Sequence, residues 1–205
     1  MLRHFKSSIL TIAAALSLFT SVAHGQNGPS QKKFDIAPIF GYMTSSDLED
    51  SAGNDLSMSS EPHFGAALSW QESPNRQGQV LVNYVSHEFD NTSAGNSEDL
   101  DILYAHFNGV ALFRQSNYIS TFSFGLGGAY MDSAHESALY PSATLAFGTR
   151  YEMQSGFAVF TELRGYATVT DEDDEFFCED QTCYAEFSNP VYFDASVSVG
   201  VAFSF

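Results

Sequence analysis

Arg150 and Glu152, then Glu162 and Arg164, with Asp194 thirty residues on, gather opposite charges in the last third of the chain. Within each pair the spacing is two, so on an extended chain both members fall on one face. Such a face can act as a charged constriction that selects ions, or as an ion-pair network that fills an interior. Cys178 and Cys183 form a second candidate. In an exported chain they are expected to form a disulfide closing a small ring; a metal held by a Cys pair needs further soft or nitrogen ligands, and none stand nearby. Asp171, Asp173 and Glu175, with Asp47, Glu49, Asp50 and Asp55, are oxygen donors suited to Ca²⁺ or Mg²⁺. No glycine-turned calcium loop accompanies them, so solvated charge is their main expected role, divalent cations being the partner they would collect.

Catalytic patterns are sparse. There is no Gly-x-Ser-x-Gly elbow and no His-Glu-x-x-His, and Gly125, Gly127 and Gly128 lie in a strand pattern rather than a phosphate loop. His135, Glu136 and Ser137 supply hydrolytic residue types, but as adjacent loop residues without triad geometry. His106, with Asn108, reads as a satisfied inward polar plug. No enzyme, metal or cofactor is expected.

These residues have to be placed by an exported scaffold. Arg3 and Lys6 precede an apolar run at 9–19, and small residues follow at Ser21, Ala23 and Gly25: the layout of a cleavable secretory signal. The run is shorter than the roughly 20 residues of a spanning helix. Cleavage after Ala23 or after Gly25 fits equally, and the chain divides into a signal at 1–25 and one domain at 26–205. A cut after Gly25 leaves six Lys and Arg against 25 Asp and Glu, a formal charge of −19. That surface repels nucleic acid, whose affinity for proteins rests on cations. With 19 Phe and 10 Tyr the chain is also too aromatic for disorder.

The domain is patterned in twos. At 191–205 the residues Val191, Phe193, Ala195, Val197, Val199, Val201, Phe203 and Phe205 alternate with Tyr192, Asp194, Ser196, Ser198, Gly200, Ala202 and Ser204. One face is apolar, the other small and polar. The design recurs at 157–170, 141–152 and 118–131. Strands are also expected at 100–113, 79–89, 62–71 and 34–43. In the fourth, Ile102, Tyr104 and His106 blur the two faces; Leu103, Ala105, Phe107, Ala111 and Phe113 are assigned outward, as are Phe64, Ala66, Leu68 and Trp70 in the second. These segments exceed ordinary strands and suit the 9–11 residues that cross a bilayer. Eight of them can close into an all-β, eight-stranded antiparallel up-and-down transmembrane β-barrel, which leaves no unsatisfied edge in lipid. Alternate gaps, 44–61, 90–99, 132–140 and 171–189, are long and acidic; the others are short. Short turns belong to the periplasm, which puts both chain ends there. Tyr118, Tyr151, Phe157, Phe203 and Phe205 are expected in the periplasmic aromatic girdle, with Tyr130, Tyr140 and Phe193 in the outer one.

Keeping inward residues opposite one another sets Arg150 directly or diagonally across from Glu162, and Arg164 near Asp194 at similar depth. Because eight strands enclose little more than their own side chains, a lumen network is the expected role of these five charges.

The signal, the up-and-down strands and the ending Val-Gly-Val-Ala-Phe-Ser-Phe resemble the outer-membrane β-barrel superfamily of OmpA-type transmembrane domains, OmpX-like and OmpW-like proteins. The resemblance covers nearly all of the mature chain, and Val199, Val201, Phe203 and Phe205 carry it. It implies that the last strand, with Phe203 and Phe205, is the signal read by the barrel-assembly machinery, and that outer-membrane lipid and lipopolysaccharide surround a monomer. No peptidoglycan-binding domain is expected after Phe205. The superfamily hosts adhesins, small channels, lipid A enzymes and structural proteins. The expected function is non-enzymatic, in envelope structure or surface interaction through acidic loops. The alternative is a narrow channel for small solutes or hydrophobic molecules; lipid A modification, for which the superfamily's hydrolases use a His, Ser and acidic trio, ranks below both.

Overall fold

The computed structural model describes residues 34–46, 48–49, 55–56, 58–91, 96–133, 136–153, 156–170, 178–179, 182–183 and 190–205. The expected signal peptide with both cleavage positions, His135, and the acids and aromatics of 171–177 and 184–189 lie outside them, as do Asp47 and Asp50.

Eight strands form one closed barrel: β1 (Phe34–Ser45), β2 (Glu61–Ser73), β3 (Arg76–Asn91), β4 (Asn96–Arg114), β5 (Ile119–Asp132), β6 (Ser137–Glu152), β7 (Phe157–Val169) and β8 (Val191–Ser204). Each pairs antiparallel with its neighbours in sequence, and β8 returns to β1. The seam continues past the ladder, where the Phe205 amide donates to the Phe34 carbonyl at 3.0 Å and the two rings stack at 6.1 Å. Closure leaves no unpaired edge in the wall, the condition for a sheet to cross lipid.

The alternation expected from sequence is the alternation of burial. On β8, Phe193, Val197, Val199 and Phe203 face outward and are exposed, while Tyr192, Asp194, Ser196 and Ser198 are buried in the lumen. The ambiguous β4 resolves the same way: Leu103, Phe107 and Phe113 are outward, Ile102, Tyr104 and His106 inward. What blurred the faces was a lumen that is itself apolar at that depth. Trp70 on the outer wall covers Gly78, its cross-strand partner; a Cβ on Gly78 would come within 2.3 Å of the indole. The β6–β7 turn ends on Gly156, whose φ of 84° suits a residue without a Cβ.

Two expectations are corrected. Tyr140 does not join the outer girdle: it faces inward and is buried, paired across from Ala129, and Leu139 is the exposed neighbour. Two of the four long gaps are largely strand. β3 and β4 stay paired as far as Asn91 and Asn96, and β5 and β6 as far as Asp132 and Ser137. Hydrogen bonding between strands continues where the apolar alternation that marks the membrane span has ended. Two short ladders stand apart from the barrel, Leu48–Glu49 with Asp55–Leu56 and Cys178–Glu179 with Thr182–Cys183.

Candidate functional site

The lumen is stratified by depth. Near the turn end, Arg150 Nη1 donates to Asp35 Oδ2 at 2.8 Å across the interior. Glu152 lies 3.8 Å from Arg150 Nε, but it is half exposed and reaches Arg114 at the rim, 3.3 Å away. Small apolar side chains (Ala37, Ala67, Ala158, Ala202), with Ile39 and Leu81, line this region. They leave a cavity of about 50 Å³ of mixed lining, where Asp35, Gln77, Gln79, Arg150 and Glu162 face Val110 and Phe160, room for water beside polar groups.

At mid-depth Arg164 is saturated. Its Nε and Nη2 meet Glu162 Oε1 at 2.9 and 2.8 Å, Nη1 donates to Thr144 Oγ1 at 3.2 Å, and Nη2 to Ser123 Oγ at 3.4 Å. A second chain of bonds crosses the barrel from β8 to β7. Asn83 Nδ2 donates to Tyr166 Oη at 2.9 Å, so Asn83 Oδ1 accepts from His63 Nδ1, and His63 Nε2 accepts from Ser198 at 3.0 Å.

Above this the interior turns apolar and aromatic. Tyr104 stacks on Tyr166 with centroids 4.2 Å apart and planes 21° from parallel. His106 packs against both rings, at 5.8 and 5.6 Å. It is inward as expected but held by rings, neither nitrogen having a partner in hydrogen-bond geometry among the described residues. Met43, Met58, Val85, Leu100, Ile102, Met131, Tyr140 and Tyr192 fill the remaining section. Asp194 is embedded in this layer, accepting from Tyr104 Oη and Ser45 Oγ. His87 completes the group, its Nε2 at 2.8 Å from Ser45 Oγ and 3.9 Å from the Asp194 carboxylate.

The five charges expected to form one network thus occupy three depths. Arg164 and Glu162 are together. Arg150 stands diagonally across from Glu162, its direct cross-strand partner being Phe160, but its guanidinium turns to Asp35. Asp194 pairs in register with Tyr166 and keeps to hydroxyl partners and His87, away from Arg164. Asp35, Ser45, His87 and Tyr104 had no role from sequence. Asp35 carried a usable signal, a carboxylate on the inward parity between Phe34 and Ile36; its partner depends on how the closed barrel is staggered.

Ser45, His87 and Asp194 have the residue types of a nucleophilic triad but not its arrangement. A triad carboxylate binds the imidazole Nδ1; here Nδ1 faces the Ser59 carbonyl at 3.2 Å, and serine and carboxylate share the Nε2 side. Cys178 and Cys183 stand directly opposite in their short ladder, as a ring-closing disulfide would require of the backbone; their side chains lie outside the description. Phe203 and Phe205 are exposed at the turn end of the outer wall.

No protein-family model matches the chain, and no curated protein matches its sequence. Solved structures do match in shape. The outer membrane protein AlkL superposes with a TM-score of 0.54 at 12% identity, covering 90% of this chain and 96% of that one. Neisserial surface protein A gives 0.52 at 12%, covering 84% and 97%. The outer membrane protease OmpT from Escherichia coli gives 0.50 at 6%, covering 84% and 97%. At these identities the likeness is one of fold: this chain has the closed antiparallel barrel of small outer-membrane proteins.

Proposed function

We propose that the protein is an integral, monomeric outer-membrane barrel with both ends in the periplasm, without enzymatic activity, acting in envelope structure or surface contact through its acidic outer loops. The observation that carries this reading is the closed lumen. The Tyr104–Tyr166 stack and the apolar side chains above it occupy the section through which a solute would pass. With the interior filled, the parts free to meet a partner are the outer wall and the loops. Charge sorting supports the orientation. The turns carry Arg76 and Arg114, whereas Glu61, Glu88, Asp99, Asp101, Asp132 and Glu136 cluster at the opposite end, where the described residues include no Lys or Arg.

A second reading is a narrow passage for apolar molecules. It is favoured by the chemistry of the outer lumen, where Met43, Met58, Met131, Leu100 and Ile102 pack around the Asp194 cluster. Methionine side chains repack readily around apolar guests. Single-channel recording in planar bilayers tests both. The first reading expects a silent parent; steady conductance, altered in ion selectivity by Arg150→Ala, would contradict it and favour a channel.

A further inference from the structure

β4 begins above the level at which the ring closes. It pairs with β3 from Asn96 onward, opposite Asn91, but its ladder with β5 begins only at Asp101 and Asp132. The first residues of β4 therefore have a neighbouring strand on one side alone. On the β3 side of this hairpin the edge is covered: the Ser59 amide donates to the Glu88 carbonyl at 3.2 Å, and the Glu88 amide donates to Ser59 Oγ at 3.2 Å.

Those bonds fix which way the β4 main chain faces. In an antiparallel ladder each residue turns its N–H and C=O to the same side, and successive residues alternate. Glu88 bonds away from β4, so Asp99, directly opposite it, bonds away from β3. The other end agrees. The Ser133 amide donates to the Glu136 carbonyl at 2.9 Å, so Ser133 faces β6, Asp132 faces β4, and its partner Asp101 faces β5. Further up the strand, Asp99 and Ser97 share that direction and present two amides and two carbonyls where, among the described residues, no strand stands beside them. An open edge of this kind pairs with another extended chain.

The surrounding charge selects which chain. Glu88 and Asp99 stand directly opposite each other, as do Asp101 and Asp132, all four on the outward face. Like charges so placed destabilise a sheet. Tyr84 Oη donates to Asp101 at 2.8 Å, a neutral partner that leaves the charge in place. A strand added beside β4 sets the residue opposite Asp99 on this same face, where a Lys or Arg is attracted by both acidic pairs. On the inward face Leu100 is buried in the apolar outer lumen, which suits apolar residues at the alternate positions. A second copy of this edge would bring acid against acid.

We propose that the main chain of Ser97 and Asp99 is a docking edge for an extended segment of a partner protein, added antiparallel to β4 and carrying Lys or Arg at every second position. The proposal rests on the surface-contact reading and names the chemistry of the partner.

The test is amide-resolved hydrogen exchange by NMR on the full mature chain refolded in detergent micelles at about pH 7, where the carboxylates are charged. The probe is the end-capped peptide Val-Lys-Val-Lys-Val, with one form N-methylated on both lysines and one on the central valine. In the proposed register the lysines lie opposite Ser97 and Asp99 and point their own N–H groups at β4. The unmodified and valine-methylated peptides should slow exchange at the Ser97 and Asp99 amides about fivefold, the effect of one hydrogen bond each. The lysine-methylated peptide should leave both unprotected. Equal protection by the two methylated forms, or none by the unmodified peptide, overturns the proposal. Conductance is scored separately: a silent barrel without protection loses this inference and keeps the surface-contact reading, and a conducting barrel with protection does the reverse.

Discussion

The two halves of the lumen solve the same packing problem differently. The turn-side half uses small side chains and the Arg150–Asp35 pair and keeps a cavity of about 50 Å³. The outer half packs Tyr104, Tyr166, Tyr192 and three methionines into one buried cluster. Between them Arg164 is buried, bonded to Glu162 at the cavity's edge and to Thr144 and Ser123. An inward position in a barrel is therefore not a polar position by default. Its character follows depth, with small side chains and ions at one end and rings and methionines at the other.

The largest effect is expected at the boundary between the halves. Arg164→Ala leaves Glu162 buried without its cation, and removing one partner of a buried pair costs about 3–5 kcal/mol; reversible urea unfolding in lipid vesicles measures it. One step outward, Tyr166→Ala should cost about 3 kcal/mol, in the range of aromatic truncations in packed interiors. Tyr166→Phe keeps the stack on Tyr104 and loses only the bond from Asn83, about 1 kcal/mol. If the Ala and Phe variants cost the same, the ring does no closing and the contrast between the halves collapses.

Much of this was legible in the chain. Strand number, pairing order and facing followed from alternate residues on β5 to β8, because a barrel wall in lipid has one uniformly apolar face. Depth was harder to read. Tyr140 looked like an interface aromatic because Tyr is common at membrane surfaces, yet its parity, shared with Ser142 and Thr144, points inward. Arg150 was set against Glu162 by local hairpin logic, whereas its partner Asp35 comes from β1, over a hundred residues away and brought near by closure. His87 and Ser45 meet across β2, with β3 and β1 on either side of it, because the wall curls there. Contacts across a lumen depend on stagger and on where the ring closes, neither of which a single strand encodes.

The most direct test of the account is side-specific labelling of two small inward positions, Thr121→Cys beside the cavity and Ala129→Cys in the outer layer, in vesicles of defined orientation with a water-soluble maleimide. The account predicts that Thr121→Cys reacts from the turn side alone and that Ala129→Cys reacts from neither. Ala129→Cys labelling as fast as Thr121→Cys, from the loop side, would show an open outer lumen and contradict it.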